Sequence, residues 1–309
     1  MSIVGTLLRQ GWTIAALALL IAALLLPPMM VPRKAQSFFV VFDITQSMGV
    51  ADVSDPKGAS LTRLEAGKAA MRQVLRRLPC GSQVAWGAFT DYRSIPLIAP
   101  LEVCEHFDAL LSTLDYIEPR MRWANGSNVA RGAYWALRAT QALNTAQPAD
   151  DDQPIITVFV SDGHEAPPAP LDVDDLLRID ARLPGLIVGV GSEVASPIPR
   201  TDNEGRVIAT WAADEVVQRT DVPAGSSHEE LSALNEGHLR AIAAKHRLDY
   251  TRLGGSGDSL HAAMTAAGPA RTVPQPTDVR WVPALVALMC LLVPPVVGFW
   301  RSTFRDRRR

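Results

Sequence analysis

Three short stretches of this 309-residue sequence place oxygen-bearing side chains where a hard cation can be held. The first is Asp43-Ile44-Thr45-Gln46-Ser47, in which one carboxylate and two hydroxyls alternate. Alternate side chains of a tight turn converge on one point, and this donor set suits a small divalent cation rather than zinc or copper. The second is Ser161-Asp162-Gly163, which adds a carboxylate. The third is Asn125-Gly126-Ser127-Asn128, whose Ser127 hydroxyl stands at the start of a helical stretch. Taken singly, each has a plain structural explanation: Ser127 or Asn128 as a helix cap, Thr45 and Ser47 as turn formers. A site exists only if the surrounding elements bring the three together.

The elements do so in outline. Ser37–Asp43, Ile155–Val160 and Gly185–Val190 are short apolar runs, rich in β-branched and aromatic residues, and read as buried strands. Val84–Thr90 and Ile95–Leu101 are spaced as a hairpin, and Asp249–Leu253 as a further short strand. Helical spacing covers Arg63–Leu78, Phe107–Leu114, Asn128–Leu143, Leu171–Leu183, Leu231–His246 and Ser259–Ala267. Buried strands alternating with amphipathic helices predict an α/β fold, a doubly wound and mostly parallel sheet. Ligand sites in such folds lie beyond the carboxyl ends of the strands, where Asp43–Ser47 and Ser161–Gly163 fall.

The ends of the chain differ from its middle. Gly11–Pro32 and Trp281–Trp300 contain no charged residue, and Trp12–Val31 and Val282–Trp300 approach the ~20 apolar residues of a membrane-spanning helix. Arg301, Arg305, Arg307, Arg308 and Arg309 follow the second segment, which by the positive-inside rule puts that tail in the cytoplasm. Two retained spans put the N-terminus there as well and the middle outside, in the periplasm of a Gram-negative inner membrane. A cleaved signal peptide is the alternative for the first segment; Arg33, three positions before a cut after Ala35, fits that poorly. The expected organisation is an anchor over 1–34, a globular domain over 35–267, a Pro-rich linker over 268–280, and a second transmembrane helix with a basic tail over 281–309. The ends hold eight of the 30 basic residues and one of the 32 acidic ones, so the 246-residue middle carries a net charge of −9. Such an acidic domain argues against nucleic-acid binding and suits a cation or a basic partner.

Other signals are weaker. A hairpin centred near Tyr92 sets Cys80 opposite Cys104; a disulfide there and two free buried thiols both remain open. Arg122 and Trp123, with Arg120, precede the third stretch and suit a contact rim for a partner, with a Trp123 packed inward as the alternative. His164 and Glu165 follow Asp162 and are assigned to the same rim. Asp150–Asp152 reads as a solvated loop. Residues 197–225 form a long polar insertion with Trp211, read either as a hairpin with a partner-specific surface or as a lid.

With those residues in view, the sequence resembles the von Willebrand factor type A (VWA) family. Phe42-Asp43-Ile44-Thr45-Gln46-Ser47-Met48 is similar to its metal-ion-dependent adhesion site, with Ser127 at the position of a usual threonine and Ser161-Asp162-Gly163 as the third loop. The resemblance covers about Ser37 to Leu253. It implies Mg²⁺ (or Mn²⁺ or Ca²⁺), with Thr45 and Ser47 as direct ligands, Asp43 and Asp162 acting at least partly through water, and Ser127 directly or through water. One coordination position is left for an Asp or Glu carboxylate of a protein partner. Two flanking apolar segments, Arg63-Leu64 with Lys68, and Val188-Gly189-Val190-Gly191 resemble the membrane-anchored aerotolerance type, encoded with MoxR-type AAA+ ATPases. Shorter strings, Leu78-Pro79-Cys80-Gly81-Ser82, Arg122-Trp123-Ala124-Asn125 and Asp162–Pro168, resemble the MxaL-type VWA proteins of methanol dehydrogenase gene clusters.

The expected function is therefore non-enzymatic: a membrane-anchored, metal-dependent interaction module that assists maturation of a periplasmic metalloenzyme, methanol dehydrogenase in the narrowest form. The rivals are a metal-dependent hydrolase using Asp43 and Asp162, and a general envelope-stress scaffold.

Overall fold

The computed structural model describes residues 3–55, 57–147, 153–168, 179, 182–202, 204–220, 222–223, 226–254 and 257–306, with residues 3–9 and 294–306 as backbone. The chain divides into two compact units, Lys34–Thr272 and Met1–Arg33 with Val273–Arg309. In chain order the elements are α1 (Ile3–Leu25), β1 (Met29–Ala35), β2 (Ser37–Asp43), a 3-10 turn (Gln46–Gly49), β3 (Val53–Ser54), β4 (Ser60–Leu61), α2 (Arg63–Leu75), β5 (Gln83–Thr90), β6 (Arg93–Pro96), β7 (Leu101–Glu102) and α3 (Phe107–Asp115). There follow α4 (Val129–Ala146), β8 (Ile155–Ser161), β9 (Gly185–Gly189), β10 (Ser196–Pro197), β11 (Pro199–Thr201), β12 (Val207–Thr210), β13 (Leu231–Ser232), α5 (Glu236–His246), β14 (Asp249–Arg252), α6 (Gly257–Ala266), β15 (Arg271–Thr277) and α7 (Trp281–Asp306).

The larger unit is built on one sheet of order β14-β9-β8-β2-β5-β6, with β7 also beside β5. Strands β14, β9, β8, β2 and β5 run parallel, and β6 and β7 are antiparallel to β5. This is the expected mixed α/β fold with a mostly parallel sheet. Every residue of β2 is buried because both faces are covered. Phe38, Val40 and Phe42 pack with Leu64, Met71, Leu110 and Met264 from α2, α3 and α6. Phe39 and Val41 pack on the opposite face with Val129, Ala133, Leu239 and Ile242 from α4 and α5. Helix α4 approaches closely because Gly132 lies over the Phe89 ring, where an added Cβ would sit 2.3 Å from it. From β2 the chain crosses to β5 on one side and later returns to β8 on the other. The crevice beyond the β2 tip is thus the switch point at which ligands bind in such sheets.

Several boundaries differ from expectation for identifiable reasons. Helix α2 stops at Leu75 rather than Leu78, ahead of Pro79, which disfavours helix in the preceding residue. Helix α5 starts at Glu236 rather than Leu231, because Asn235 caps it by accepting from the His238 amide, while Leu231 and Ser232 pair with β10. The second hairpin strand breaks into β6 and β7, where Leu97 and Ile98 both donate to the Trp86 carbonyl. Its register centres half a residue before Tyr92 at Thr90↔Arg93 and half a residue after it at Gln83↔Glu102. The bulge thereby brings Cys80 and Cys104 together, and they form a disulfide with Cα atoms 5.2 Å apart. The helix expected over Leu171–Leu183 falls mostly outside the described residues, and the Asp150–Asp152 loop wholly outside.

In the smaller unit, the stretch expected to be a plain linker contains β15, which pairs with β1. The two expected membrane segments are helices, α1 and α7, packed on each other. Among the described residues, however, no helix is long and apolar enough to cross a membrane. The side chains described cover 10–25 of α1 and 281–293 of α7, shorter than the ~20 residues of a span. Within those stretches Ala16, Ala23 and Ala287 are buried, while Leu17, Leu20, Ile21, Leu24, Leu288, Met289 and Leu292 are exposed.

Candidate metal centre

Asp43 ends β2 with both carboxylate oxygens engaged. The Thr45 amide and hydroxyl donate to Oδ1 at 2.9 and 2.6 Å, and the Ser161 hydroxyl donates to Oδ2 at 2.6 Å. The Thr45 and Ser47 hydroxyl oxygens lie 3.3 Å apart. Because Thr45 gives its proton to Asp43, a lone pair of its oxygen is left for a cation, the usual way an outer carboxylate sharpens a ligand. Ser127 is fixed between two loops: its amide donates to the Ala166 carbonyl, its hydroxyl to the His164 carbonyl at 2.7 Å, and Asn128 behind it donates to the Asp91 carbonyl. The N-cap of α4 is Asn128, which leaves Ser127 facing the site. Thr45, Ser47 and Ser127 line one cavity of about 300 Å³.

Asp162 is as deeply buried as Asp43. It accepts from the His164 amide at 3.0 Å on Oδ1 and from Arg63 Nη1 at 2.5 Å on Oδ2. Arg63 opens α2, has no exposed surface, and also binds Asp52 through Nε and Nη2 and the Ser232 hydroxyl and carbonyl. Its Nε passes over Gly191, whose φ of +128° and missing Cβ make the room. Burial alone would lower the Arg63 guanidinium, but the Asp52 hydrogen bond and the Asp162 and Asp52 charges outweigh it and hold it above its usual range.

Of the two buried carboxylates, only Asp162 contacts the buried guanidinium, which it shares with the partly buried Asp52. Asp43 has no such partner. Burial first, then the Asp162 charge, push its carboxyl up to about 7, against the pull of the Ser161 and Thr45 hydrogen bonds. A buried carboxyl with no counter-charge, beside neutral hydroxyl oxygens, fits a hard divalent cation. Thr45, Ser47 and Ser127 would hold Mg²⁺, with Asp43 and Asp162 behind them, and the ion would supply an electrophile able to accept an outside carboxylate. Among the described residues, the one group of three His, Cys, Asp or Glu side chains with chelating spacing is Cys80, Glu102 and Cys104; its two sulfurs are bonded to each other.

The expected rim separates into two kinds of residue. Trp123 is 47% exposed and so not packed inward, but it does not line the cavity. His164 lines the cavity, and burial pushes its imidazole below the usual range against the charge of Asp162. Glu165 lines the cavity as well, but it is only 5% exposed, and its Oε1 accepts from the Val129 amide and faces His238 Nε2 at 2.8 Å, tying α4 to α5. Arg122 is half-buried and donates to Thr201 of the insertion at 2.6 Å; burial lowers it while the Asp43 charge acts the other way. Arg63 was not singled out from the sequence as a site residue, although an arginine opening an amphipathic helix in a domain rich in Asp is a usable signal. Nor was Gln46, which donates to Asn125 and accepts from Trp211 Nε1, so joining the first loop to the third and to the insertion.

No family model matches the sequence, and no curated protein matches it. Solved structures do. An aerotolerance-related membrane protein from Bacteroides fragilis superposes with a TM-score of 0.52 at 19% identity, over 75% of this chain and 98% of that one. The conserved hypothetical protein BatB from Bacteroides thetaiotaomicron gives 0.51 at 18% identity over the same shares. A von Willebrand factor type A protein from Catenulispora acidiphila is matched more loosely, with a TM-score of 0.44 and 12% identity over 84% of this chain and 50% of that one. At these identities the first two comparisons establish a shared fold.

Proposed function

We propose that the chain is a metal-dependent protein-interaction module of the VWA type, held at a membrane by its helix pair. The observation that carries this is the convergence of Thr45, Ser47 and Ser127 on one cavity, backed by the buried Asp43 and Asp162. A partner Asp or Glu completes the shell of the bound ion. Because neither Asp43 nor Asp162 exposes any surface, both serve better as supports for an ion than as acids or bases acting on a substrate, which favours binding over hydrolysis. Membrane attachment is supported by α1 and α7, which pack together, bury Ala16, Ala23 and Ala287 and leave larger apolar side chains such as Leu17, Ile21, Leu288 and Leu292 exposed, the pattern of helices packed in lipid. The topology that goes with it leaves the metal domain periplasmic.

The local strings resembling methanol dehydrogenase clusters favour a role in loading or assembling that enzyme. The fold shared with an aerotolerance-related membrane protein and BatB is equally consistent with a general envelope scaffold working with MoxR-type ATPases. Calorimetric titration of Mg²⁺ into the full-length chain tests the shared core of both: one ion is expected, lost in Ser47→Ala. An absence of Mg²⁺, Mn²⁺ and Ca²⁺ binding would end the proposal. Deleting the gene and measuring the Ca²⁺ content of the methanol dehydrogenase then separates the two roles, a normal content removing the narrower one.

A further inference from the structure

The cavity over the hydroxyls is formed in part by residues that have no place in the metal site. Ile198, Trp211, Val216 and Val217, all between β10 and β13, make an apolar wall, and Pro167 and Pro168 face it. The wall is held in place. Trp211 Nε1 donates to Gln46, the Trp211 amide donates to the Ile198 carbonyl, and Arg200 stacks 4.9 Å over the Trp211 ring while pairing with Glu215 at 2.8 Å. Of the two readings of residues 197–225, the hairpin is the one observed: β11 pairs with β12.

Strand β12 runs directly into Trp211, and its outer edge has no strand partner among the described residues. A register shift at Arg200/Thr201 leaves Ile208 without an opposite number, and Val207 and Ile208 are both turned outward, 65% and 61% exposed. An apolar edge strand left open is an aggregation liability unless something covers it. Its continuity with the cavity indicates what does. We propose that β12 is a docking strand: an extended segment of a partner protein adds along Val207–Thr210 and delivers one acidic side chain past Trp211 to the metal position, with its neighbouring apolar side chains on Val207, Ile208 and Val217. Strand addition gives affinity through the main chain and specificity through alternate side chains. The net charge of −9 on residues 35–280 restricts the occupant further, to a segment with a single acid on an otherwise basic surface. A small apolar acid would fill the cavity but leave β12 uncovered, which is why the extended segment is favoured.

The inference rests on the carboxylate reading above, and the experiment separates the two. Random heptapeptides displayed on phage are selected against the full-length chain in Mg²⁺, and then against the Val207→Lys/Ile208→Lys variant. Both substituted side chains are exposed, and calorimetry with Mg²⁺ together with thermal melting checks that the variant binds the ion and folds as before. The expected selection is one Asp or Glu flanked by apolar residues, lost in EDTA. The variant should bind the best such peptide about tenfold or more weakly, the loss of one or two buried apolar contacts. Amide exchange at Val207–Thr210 should slow when the peptide binds. Metal-dependent selection of acids with no apolar preference, and no response of β12, would overturn this inference and leave the carboxylate reading standing. Selection that ignores the metal would overturn both.

Discussion

Asp43 offers the sharpest test, because burial and metal binding make opposite demands on it. With its carboxyl raised from an ordinary 3.8 to about 7, the folded metal-free protein keeps a proton that the unfolded chain loses at lower pH. Between those two values the folded state binds more protons, so stability falls as pH rises and levels off above about 7. The difference corresponds to roughly 4 kcal/mol against the ionised form. Asp43→Asn removes the charge but keeps an oxygen to accept from Thr45, and its amide can donate to Ser161. The metal-free variant should therefore gain on the wild type by about 1.4 kcal/mol per pH unit from about pH 4 to pH 7. In a protein of this size each kcal/mol moves Tm by roughly 2–4 °C. The assay is thermal melting of both proteins in EDTA across that range, where the pH dependence of the difference cancels any fixed cost of the substitution. Saturating Mg²⁺ should reverse the ranking at pH 8, since only the wild type can hold the ion. Mg²⁺ affinity of the wild type should fall by up to about tenfold per pH unit below 7, as binding must displace the proton. A difference in Tm that is flat with pH, or a Mg²⁺ affinity equal at pH 5.5 and 7.5, would refute the reasoning.

Three further outcomes follow from the same contacts. Arg63→Ala strands Asp162 and Asp52 without their buried partner and should destabilise the domain by about 3–5 kcal/mol, read by denaturant unfolding; a loss under about 1 kcal/mol would show that water replaces the guanidinium freely. Replacing Cys80 and Cys104 together by serine opens a bridge between residues 24 apart and should cost about 3 kcal/mol. Mg²⁺ titration should be unchanged in that variant, because the bridge lies at the end of β5 away from the site. Glu165→Ala should cost about 1–2 kcal/mol by freeing the first turn of α4; calorimetry should also show weaker Mg²⁺ binding, through a loosened Ser127.

Much of this was legible because local patterns and global fold agree. The strand Ser37–Asp43 was bounded correctly, since a fully apolar run ending in a polar turn has few other solutions. The gathering of Thr45, Ser47 and Ser127 followed from the rule that parallel sheets place their loops at one edge. What escaped was set by contacts distant in sequence. Glu165 reads as a surface residue until His238, 73 positions later, closes over it. Arg63 reads only as the start of a helical stretch and as part of a resemblance, and its contacts come from Asp52 and from Asp162, 99 positions later. The insertion had no periodicity to reveal that Trp211 would reach Gln46, 165 residues earlier.

Arg63 and Asp43 together explain how such a site folds without its ion. Two ionised carboxylates buried side by side would repel strongly enough to threaten the domain. The protein answers asymmetrically. Asp162 is given a permanent counter-charge on Oδ2, while Asp43 has none, and burial together with the Asp162 charge lets it take up a proton despite the donors around it. The metal-free state therefore needs no net charge at Asp43, and the site is pre-shaped by Thr45 and Ser161 before any ion arrives. An arginine on both carboxylates would have stabilised the empty domain better, but it would have occupied the position of the cation. Leaving Asp43 without one keeps that position free for the proposed ion, at the cost of stability near neutral pH.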